Sequence, residues 1–280
     1  MALFICGRYH FDLTQPLVMG IVNVTPDSFS DGGRYFSAAR AIEHGLQLRD
    51  EGAHILDIGG ESTRPGSAAV SVEEELARVM PVLAGLRDAN IALSVDSMKP
   101  AVMAAALSAG ADLINDVRAF EAPGALEIIA QHGQSAAPCG ICLMHMRGMP
   151  VSMQNNPTYT DVVNEVAGYL RQRLTLAQQA GIAPERILID PGFGFGKTLQ
   201  HNTALFNHLA AFRQIAPLLV GLSRKSFLGA LTGRMIADRL LPSVLSAVLA
   251  LQAGANVVRV HDVKETVEAI QLWQHLNSKN

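Results

Sequence analysis

Acidic, amide and cationic side chains recur at one position in this chain, the end of a short apolar run. Asn23 closes 17–23. Asp57 and Asp96 stand near or at the ends of 54–59 and 91–96, and Asn115 with Asp116 near the end of 112–117. His145 lies at the end of 140–146, Asp190 of 186–191, Ser223 with Lys225 just past 217–222, and Arg259 with His261 at the end of 256–261. Such a group on an apolar strand must be hydrogen-bonded or face a ligand. For any one of them a capped structural residue is an equal reading. Polar groups at every strand end point instead to a shared binding surface. Ser223, Arg224, Lys225 and Ser226 precede a helix start, where backbone N–H groups favour an anion or a polar ring system. No nucleophile–base pair stands out.

The eight runs are dense in Val, Ile, Leu and Met and do not alternate with polar residues, as in strands covered on both faces. The gaps between them each hold one helix. In 71–86, Ser71 and Glu74 form a capping-box pattern, and Val72, Leu76, Val79 and Leu83 share a face. In 160–180 the stripe is Val163, Val166, Leu170, Leu174 and Ala177. Further helices fall over 38–50, 100–109, 125–132, 201–213, 242–253 and 264–277. Gly52, Gly110, Gly181 and Gly254 end helices before alternate strands, which suggests a quasi-repeat. Eight βα units without a composition break read as α/β architecture, a single (β/α)8 TIM barrel over 1–280 with an N-terminal lead over 1–16 that forms a hairpin on the barrel bottom. A doubly wound open sheet is the rival on pattern alone. In a barrel the polar strand ends gather on one face, and the seventh and eighth strands are a frequent phosphate site.

The loops 24–36 and 60–70 are long, polar and rich in Gly and Pro, either surface filler or lids over a site. Three patterns are rejected. The stretch 192–198 ends like a nucleotide P-loop, but Pro191 stands where its first Gly belongs. Cys139 and Cys142 form a lone C-x-x-C, read as buried small residues. The methionines form no helical stripe.

The chain has 280 residues, 49% hydrophobic and 17% charged, with net charge −3. Its pI is near 6.3 and its mean hydropathy +0.21. No basic stripe points to nucleic acid or anionic lipid, and no apolar run reaches the roughly 18 residues of a membrane span. Three cysteines and no visible secretory signal indicate the cytoplasm.

The segments 20-GIVNVTPDSFSDGG-33, 57-DIGGESTRPG-66, 94-SVDSMKP-100, 114-INDV-117, 190-DPGFGFGK-197, 221-GLSRKSFLG-229 and 258-VRVHDV-263, in this order, closely resemble the dihydropteroate synthase family. The resemblance spans about residues 18–270. It implies a TIM-barrel transferase of folate biosynthesis, a target of sulfonamides. Such enzymes join 6-hydroxymethyl-7,8-dihydropterin diphosphate to 4-aminobenzoate and release diphosphate. The resemblance implies that Asn23 ligates Mg²⁺ together with the diphosphate. Asp96, Asn115, Asp190 and Lys225 hydrogen-bond the pterin. Thr63, Arg64, Arg259 and His261 handle diphosphate, with Arg259 also against the pterin face. Phe29, Pro65, Phe195 and Ser223 wall the aminobenzoate subsite, and Asp31 assists when the first loop closes. It also implies a homodimer, and the later helices carry apolar residues to spare.

The residue types suit this chemistry. A pterin edge mixes donors and acceptors, which carboxylates, amides and an ammonium can match. Diphosphate leaves once Mg²⁺ and cationic side chains absorb its charge. Loss from a CH₂ beside an electron-rich ring favours a loose, cation-like transition state that needs no strong general base. Three departures from the family pattern stand out. The segment 131–146 is long, which places its excess on the barrel bottom. Pro242 precedes Ser243 where a Gly-Ser or Gly-Thr step is usual, which questions the contact between that helix start and the site. Ser97 follows Asp96 in place of Thr. A corrinoid methyltransferase barrel would share the pterin-reading residues without needing the Ser-Thr-Arg-Pro loop or Ser-Arg-Lys-Ser. A non-catalytic pterin binder is the other alternative. A turnover assay with both substrates and Mg²⁺ separates the three.

Overall fold

In a computed structural model, residues 3–24, 34–63 and 66–277 are described. A hairpin of β1 (Leu3–Cys6) and β2 (Tyr9–Asp12) precedes eight parallel strands: β3 (Leu17–Asn23), β4 (Ile55–Gly59), β5 (Ala92–Asp96), β6 (Leu113–Asp116), β7 (Gly140–Met144), β8 (Ile187–Asp190), β9 (Leu219–Val220) and β10 (Val257–Val260). Their order is β8-β7-β6-β5-β4-β3-β10-β9. A parallel bridge between Ile189 and Leu218, with Ile189 N donating to Pro217 O at 3.0 Å, joins the two ends. The sheet is therefore the expected (β/α)8 barrel.

Helices fill the crossovers: α1 (Arg34–Asp50), α2 (Val72–Leu86), α3 (Pro100–Ser108), α4 (Ala125–His132), α5 (Val162–Gln179), α6 (Leu199–Asn207), α7 (Leu209–Arg213), α8 (Ser226–Thr232), α9 (Leu240–Gln252) and α10 (Val263–Asn277). Ser71 caps α2 by accepting from Glu74 N at 3.1 Å, as its pattern predicts. The buried stripe of α2, however, is Glu75, Val79, Val82, Leu83 and Leu86. Val72 and Leu76 pack against the core as expected but are only partly buried, while Glu75 beside Leu76 is fully buried with its carboxylate met by Lys99. The four glycines of the quasi-repeat all have positive φ, from 90° at Gly181 to 108° at Gly254.

The structure departs from expectation at three elements. The predicted helix 201–213 breaks at His208 into α6 and α7. There the His208 Nδ1 lies 2.8 Å from Ala204 O, and the His208 N–H turns to Leu205 O. The seventh strand shrinks to two residues. Pro217 has no N–H to donate, and Leu218 N is taken by the Asn256 side chain at 2.9 Å. The gap before β10 holds two helices instead of one, the short α8 at the helix start expected beside Ser226, and then α9.

The barrel interior has two layers. Near the N-terminal end, Leu17, Met19, Ile55, Ala92, Leu113, Cys142, Leu188, Leu219 and Val257 cluster with Phe4 and Cys6 of the hairpin. Phe4 is fully buried, and Gly7 N donates to Pro138 O at 3.1 Å. A Cβ at Gly140 would stand 2.8 Å from the Phe4 ring, so glycine there admits the aromatic plug. Cys139 and Cys142 are buried free thiols. Residues 133–139 join α4 to β7 at this closed end, where Arg186 Nε donates to Cys139 O at 2.7 Å.

Candidate active site

The upper layer is polar. The register pairs Asn23 with Gly59, Gly59 with Asp96 and Asp96 with Asn115, one row across four strands at the C-terminal rim. Gly59 leaves a gap in that row. Asn23 Oδ1 and the Asp96 Cβ each lie 3.8 Å from where a Cβ at position 59 would be. Below the row, Asp57 is the hub. Its Oδ2 accepts from Arg259 Nε at 2.5 Å and Asn115 Nδ2 at 3.1 Å, and its Oδ1 accepts from Ser94 Oγ at 2.5 Å. Arg259 Nη2 reaches Asp96 Oδ2 at 2.9 Å.

The other Asp96 oxygen, Oδ1, is buried and has no hydrogen-bond partner, so one acceptor is left for a donor from outside the chain. Burial pushes the Asp96 carboxyl up to about 7 against the pull of Arg259. Asp190 is likewise raised by burial, opposed by Lys225, and its Oδ1 accepts from Gly192 N at 2.7 Å. Burial lowers Lys225 to about 8, although Asp190 favours its charge. The Lys225 ammonium donates to Phe193 O at 2.5 Å and lies 4.8 Å from the centre of the half-buried Phe195 ring. Arg259 is held firmly charged. Burial opposes the charge, and Asp57 and Asp96 outweigh it.

Beside Lys225 and Arg259, Ser223 Oγ accepts from His261 N at 3.2 Å and lies 3.0 Å from His261 Nδ1. Arg224 is turned to Asp262, with Nε to Oδ2 at 3.1 Å, and holds a left-handed backbone with φ of 57°. Its N–H donates to Ser243 Oγ at 2.9 Å. The start of α9 therefore does touch the loop carrying Lys225, despite Pro242. Lys197, at the end of the P-loop-like stretch, is buried and stitches two loops together. Its ammonium lies 2.9 Å from His145 Nδ1 and donates to the carbonyls of Gly192 at 2.9 Å and Phe195 at 3.0 Å. His145 is thereby kept neutral, lowered to about 2 by burial and by Lys197. A cavity of about 640 Å³ flanks the rim beside His145, Arg118 and Arg147, but each arginine is already paired, with Glu121 at 3.0 Å and Glu165 at 3.1 Å.

Asn23, Asp96, Asn115, Asp190, Lys225, Arg259, Ser223, His261 and Phe195 thus stand at the C-terminal ends of the barrel strands or in the loops that follow. Thr63 is half-buried in the loop after β4. Phe29, Asp31, Arg64 and Pro65 lie outside the described residues. Asp57 and Ser94 carry the network, yet the sequence reading placed Asp57 only among the polar strand ends and did not single out Ser94. The available signal was their place two residues before the rim row, paired with each other in register.

A profile of pterin binding enzymes matches residues 19–261. The chain is 52% identical over 277 residues to the dihydropteroate synthase of Neisseria meningitidis serogroup B, covering 96% of each. It superposes on Xanthomonas albilineans dihydropteroate synthase with 4-aminobenzoic acid at a TM-score of 0.93 and 48% identity, covering 100% of this chain and 99% of that one. A structure of the same enzyme with 7,8-dihydropteroate gives 0.89 and 46%, covering 99% and 100%. Polar rim, barrel and likeness along nearly the whole length agree: the chain belongs to the dihydropteroate synthase family.

Proposed function

We propose that the chain, as one pterin-binding domain, joins 6-hydroxymethyl-7,8-dihydropterin diphosphate to 4-aminobenzoate, giving 7,8-dihydropteroate and diphosphate. The observation that carries this is the buried Asp96 with an unused oxygen, set among Asn115, Asp190 and Lys225 over an Arg259 locked by Asp57. Carboxylates accept from the N–H groups of the pterin edge, and Asn115 and Lys225 complete the match. With Nε and Nη2 committed to carboxylates, Arg259 presents its remaining N–H groups and its flat face to the ligand.

The C–O bond to diphosphate breaks first. Thr63, Arg64, Arg259 and His261 take up the charge of the departing anion, and the electron-rich pterin carries the cation left on the CH₂. The neutral arylamine, walled by Phe29, Pro65, Phe195 and Ser223 with Asp31 assisting, forms the C–N bond and then loses a proton to water or to the released anion. No residue need act as a strong base.

Mg²⁺ suits this rim. Asn23 offers a hard oxygen beside the gap at Gly59, a donor type that Mg²⁺ takes alongside phosphate oxygens and water. When bound, it neutralises diphosphate charge as a Lewis acid.

A homodimer is supported by the apolar surface of α8 and α9. Leu241, Leu245 and Leu249 recur every four residues and are 72%, 54% and 42% exposed, beside Leu231 and Met235 at 59% and 73%. Three buried free thiols suit a reducing cytoplasm. Among the described residues no helix is long and apolar enough to cross a membrane.

The test is turnover of both substrates with Mg²⁺, followed by dihydropteroate formation. Asp190→Asn and Asn115→Ala should each weaken pterin diphosphate binding by about 1.5–3 kcal/mol while the protein stays folded. Unchanged binding in folded Asp190→Asn would contradict the pterin assignment.

A further inference from the structure

One fully buried carboxylate takes no part in the rim network. Glu75 lies inside the apolar stripe of α2 with no exposed surface. Its Oε2 accepts from Lys99 Nζ at 2.5 Å, and its Oε1 has no partner. The same ammonium donates to Glu61, at the root of the loop that follows β4. A helix that needed only to pack would carry an apolar side chain at position 75. A buried ion pair is seldom more stable than a well-packed apolar pair of the same size, so this one is poorly explained as a stabilising device.

Its surroundings tie three segments together. Arg78, one turn along α2, donates to Gly60 O at 2.7 Å. Gly60 is pressed onto the same helix turn, and a Cβ there would stand 3.1 Å from Glu75 Cγ and 2.7 Å from Val79 Cγ2. Lys99 lies three residues beyond Asp96, and its own N–H donates to Ser97 Oγ at 3.2 Å. Ser97 N in turn donates to Asn115 O at 3.1 Å. Farther along the loop, Ser62 and Ser67 hydroxyls meet at 2.9 Å, and Gly66 N donates to Pro150 O at 3.1 Å. One ammonium thus connects the wall bearing Asp96 and Asn115, the helix α2, and the chain that leads into Thr63.

We infer that Lys99, anchored by Glu75 and gripping Glu61, is a positioning residue that sets the second loop relative to the pterin wall. This rests on the proposed reaction for its kinetic meaning. Lys99 touches no reacting atom. Its effect is to place Thr63 where the diphosphate and the second substrate meet. Both glutamates favour the charged form of Lys99 and outweigh the opposing effect of its burial, so the grip persists through the neutral range.

The experiment compares Lys99→Met, Lys99→Arg, Glu61→Gln and the double variant Glu75→Leu/Lys99→Met with the wild-type protein. Kinetics are measured with aminobenzoate varied at saturating pterin diphosphate and Mg²⁺, pterin diphosphate affinity by calorimetry, and backbone exchange by hydrogen–deuterium mass spectrometry of the peptide spanning 60–70. Lys99→Met and Glu61→Gln should each lower kcat/KM for aminobenzoate by roughly ten- to a hundredfold, the scale of a misplaced group. Pterin diphosphate affinity should change by less than about threefold, well under one tenfold step in equilibrium. Exchange in 60–70 should quicken, and Lys99→Arg should recover most of the loss. The double variant removes the buried pair together. It should keep a near-wild-type Tm yet share the kinetic defect, which a purely structural role would not produce. Wild-type exchange rates over 60–70 in both Lys99→Met and Glu61→Gln would overturn the inference even if the wild-type protein catalysed some other reaction, because that readout needs no turnover. Equal losses for both substrates would also overturn it, placing the effect in the pterin wall. Absence of wild-type turnover, by contrast, would count against the proposed reaction alone.

Discussion

Arg259 Nε and Asp57 Oδ2 meet at 2.5 Å although 202 positions separate them in the chain. The contact spans β10 and β4, which flank β3 on either side. It fixes a guanidinium that would otherwise sample many rotamers, and it does so beneath the row where substrate is read.

Asp57→Ala should therefore cost stability as well as activity. It strips Arg259 of one of two carboxylates and leaves Ser94 and Asn115 without their acceptor. Breaking a buried pair in this way costs about 3 kcal/mol. Chemical denaturation should show the loss, together with a fall in kcat/KM. A denaturation midpoint equal to that of the wild type would remove Asp57 from its central place.

Pterin diphosphate affinity should peak between about pH 7 and pH 8. Below 7, Asp96 gains a proton and loses an acceptor; above 8, Lys225 loses its charge. The same shifts set the signs for stability. Asp96 is raised in the folded protein, so its favourable contribution is complete below the ordinary carboxylate value near 4 and is lost as pH rises through 7. Lys225 is lowered, so its contribution is present above about 10.4 and is lost as pH falls through 8. Calorimetric titrations at pH 6, 7.5 and 9 check the binding profile, and Asp96→Asn should flatten its acidic limb.

Aminobenzoate should bind weakly to the free protein and well only with Mg²⁺ and diphosphate present, because its subsite draws on two loops that those ions would order. Chelation of Mg²⁺ should abolish the enhancement. Tight binding of aminobenzoate alone would contradict the order.

The two loops should respond differently to substitution. Arg64→Ala removes charge that favours the departing anion, so kcat and kcat/KM should fall together. Phe29→Leu trims an apolar wall by about 1 kcal/mol, so the KM for aminobenzoate should rise with kcat little changed. Steady-state kinetics with aminobenzoate varied distinguish these patterns.

Leu245→Glu should convert the proposed dimer to monomers, read by light scattering, because it places a charge in the middle of the exposed leucine row of α9. A variant that keeps the wild-type mass would move the interface elsewhere.

Much of this was legible in the residue pattern, because two-side-buried strands leave continuous apolar runs and the residues that end them cannot hide. Asn23, Asp96, Asn115, Asp190 and Arg259 fall at those ends, and the barrel brings them to one rim. Asp57 was visible but unreadable. An aspartate in an apolar strand looks the same whether it caps a turn or anchors an arginine two hundred residues away, since register around a closed barrel is not a local property. Glu75 was hidden for a related reason. The helical period places it beside the apolar face, and only the position of Lys99, from the next βα unit, makes its burial possible. The two-residue β9 reflects Pro217 and the Asn256 side chain, a substitution for ladder bonds that periodicity cannot register.

The Phe4 hairpin has a kinetic consequence. Among the described residues, the lower interior is filled by apolar side chains and shut by that plug, which leaves the carboxylates facing the rim. Ligands in such a blind chamber stack in order of depth. The pterin that reaches Asp96 and Asp190 must arrive before anything seated above it. The joined product, with its pterin end deepest, is expected to leave across the same rim. An ordered sequence of binding and release is then expected from the shape of the chamber.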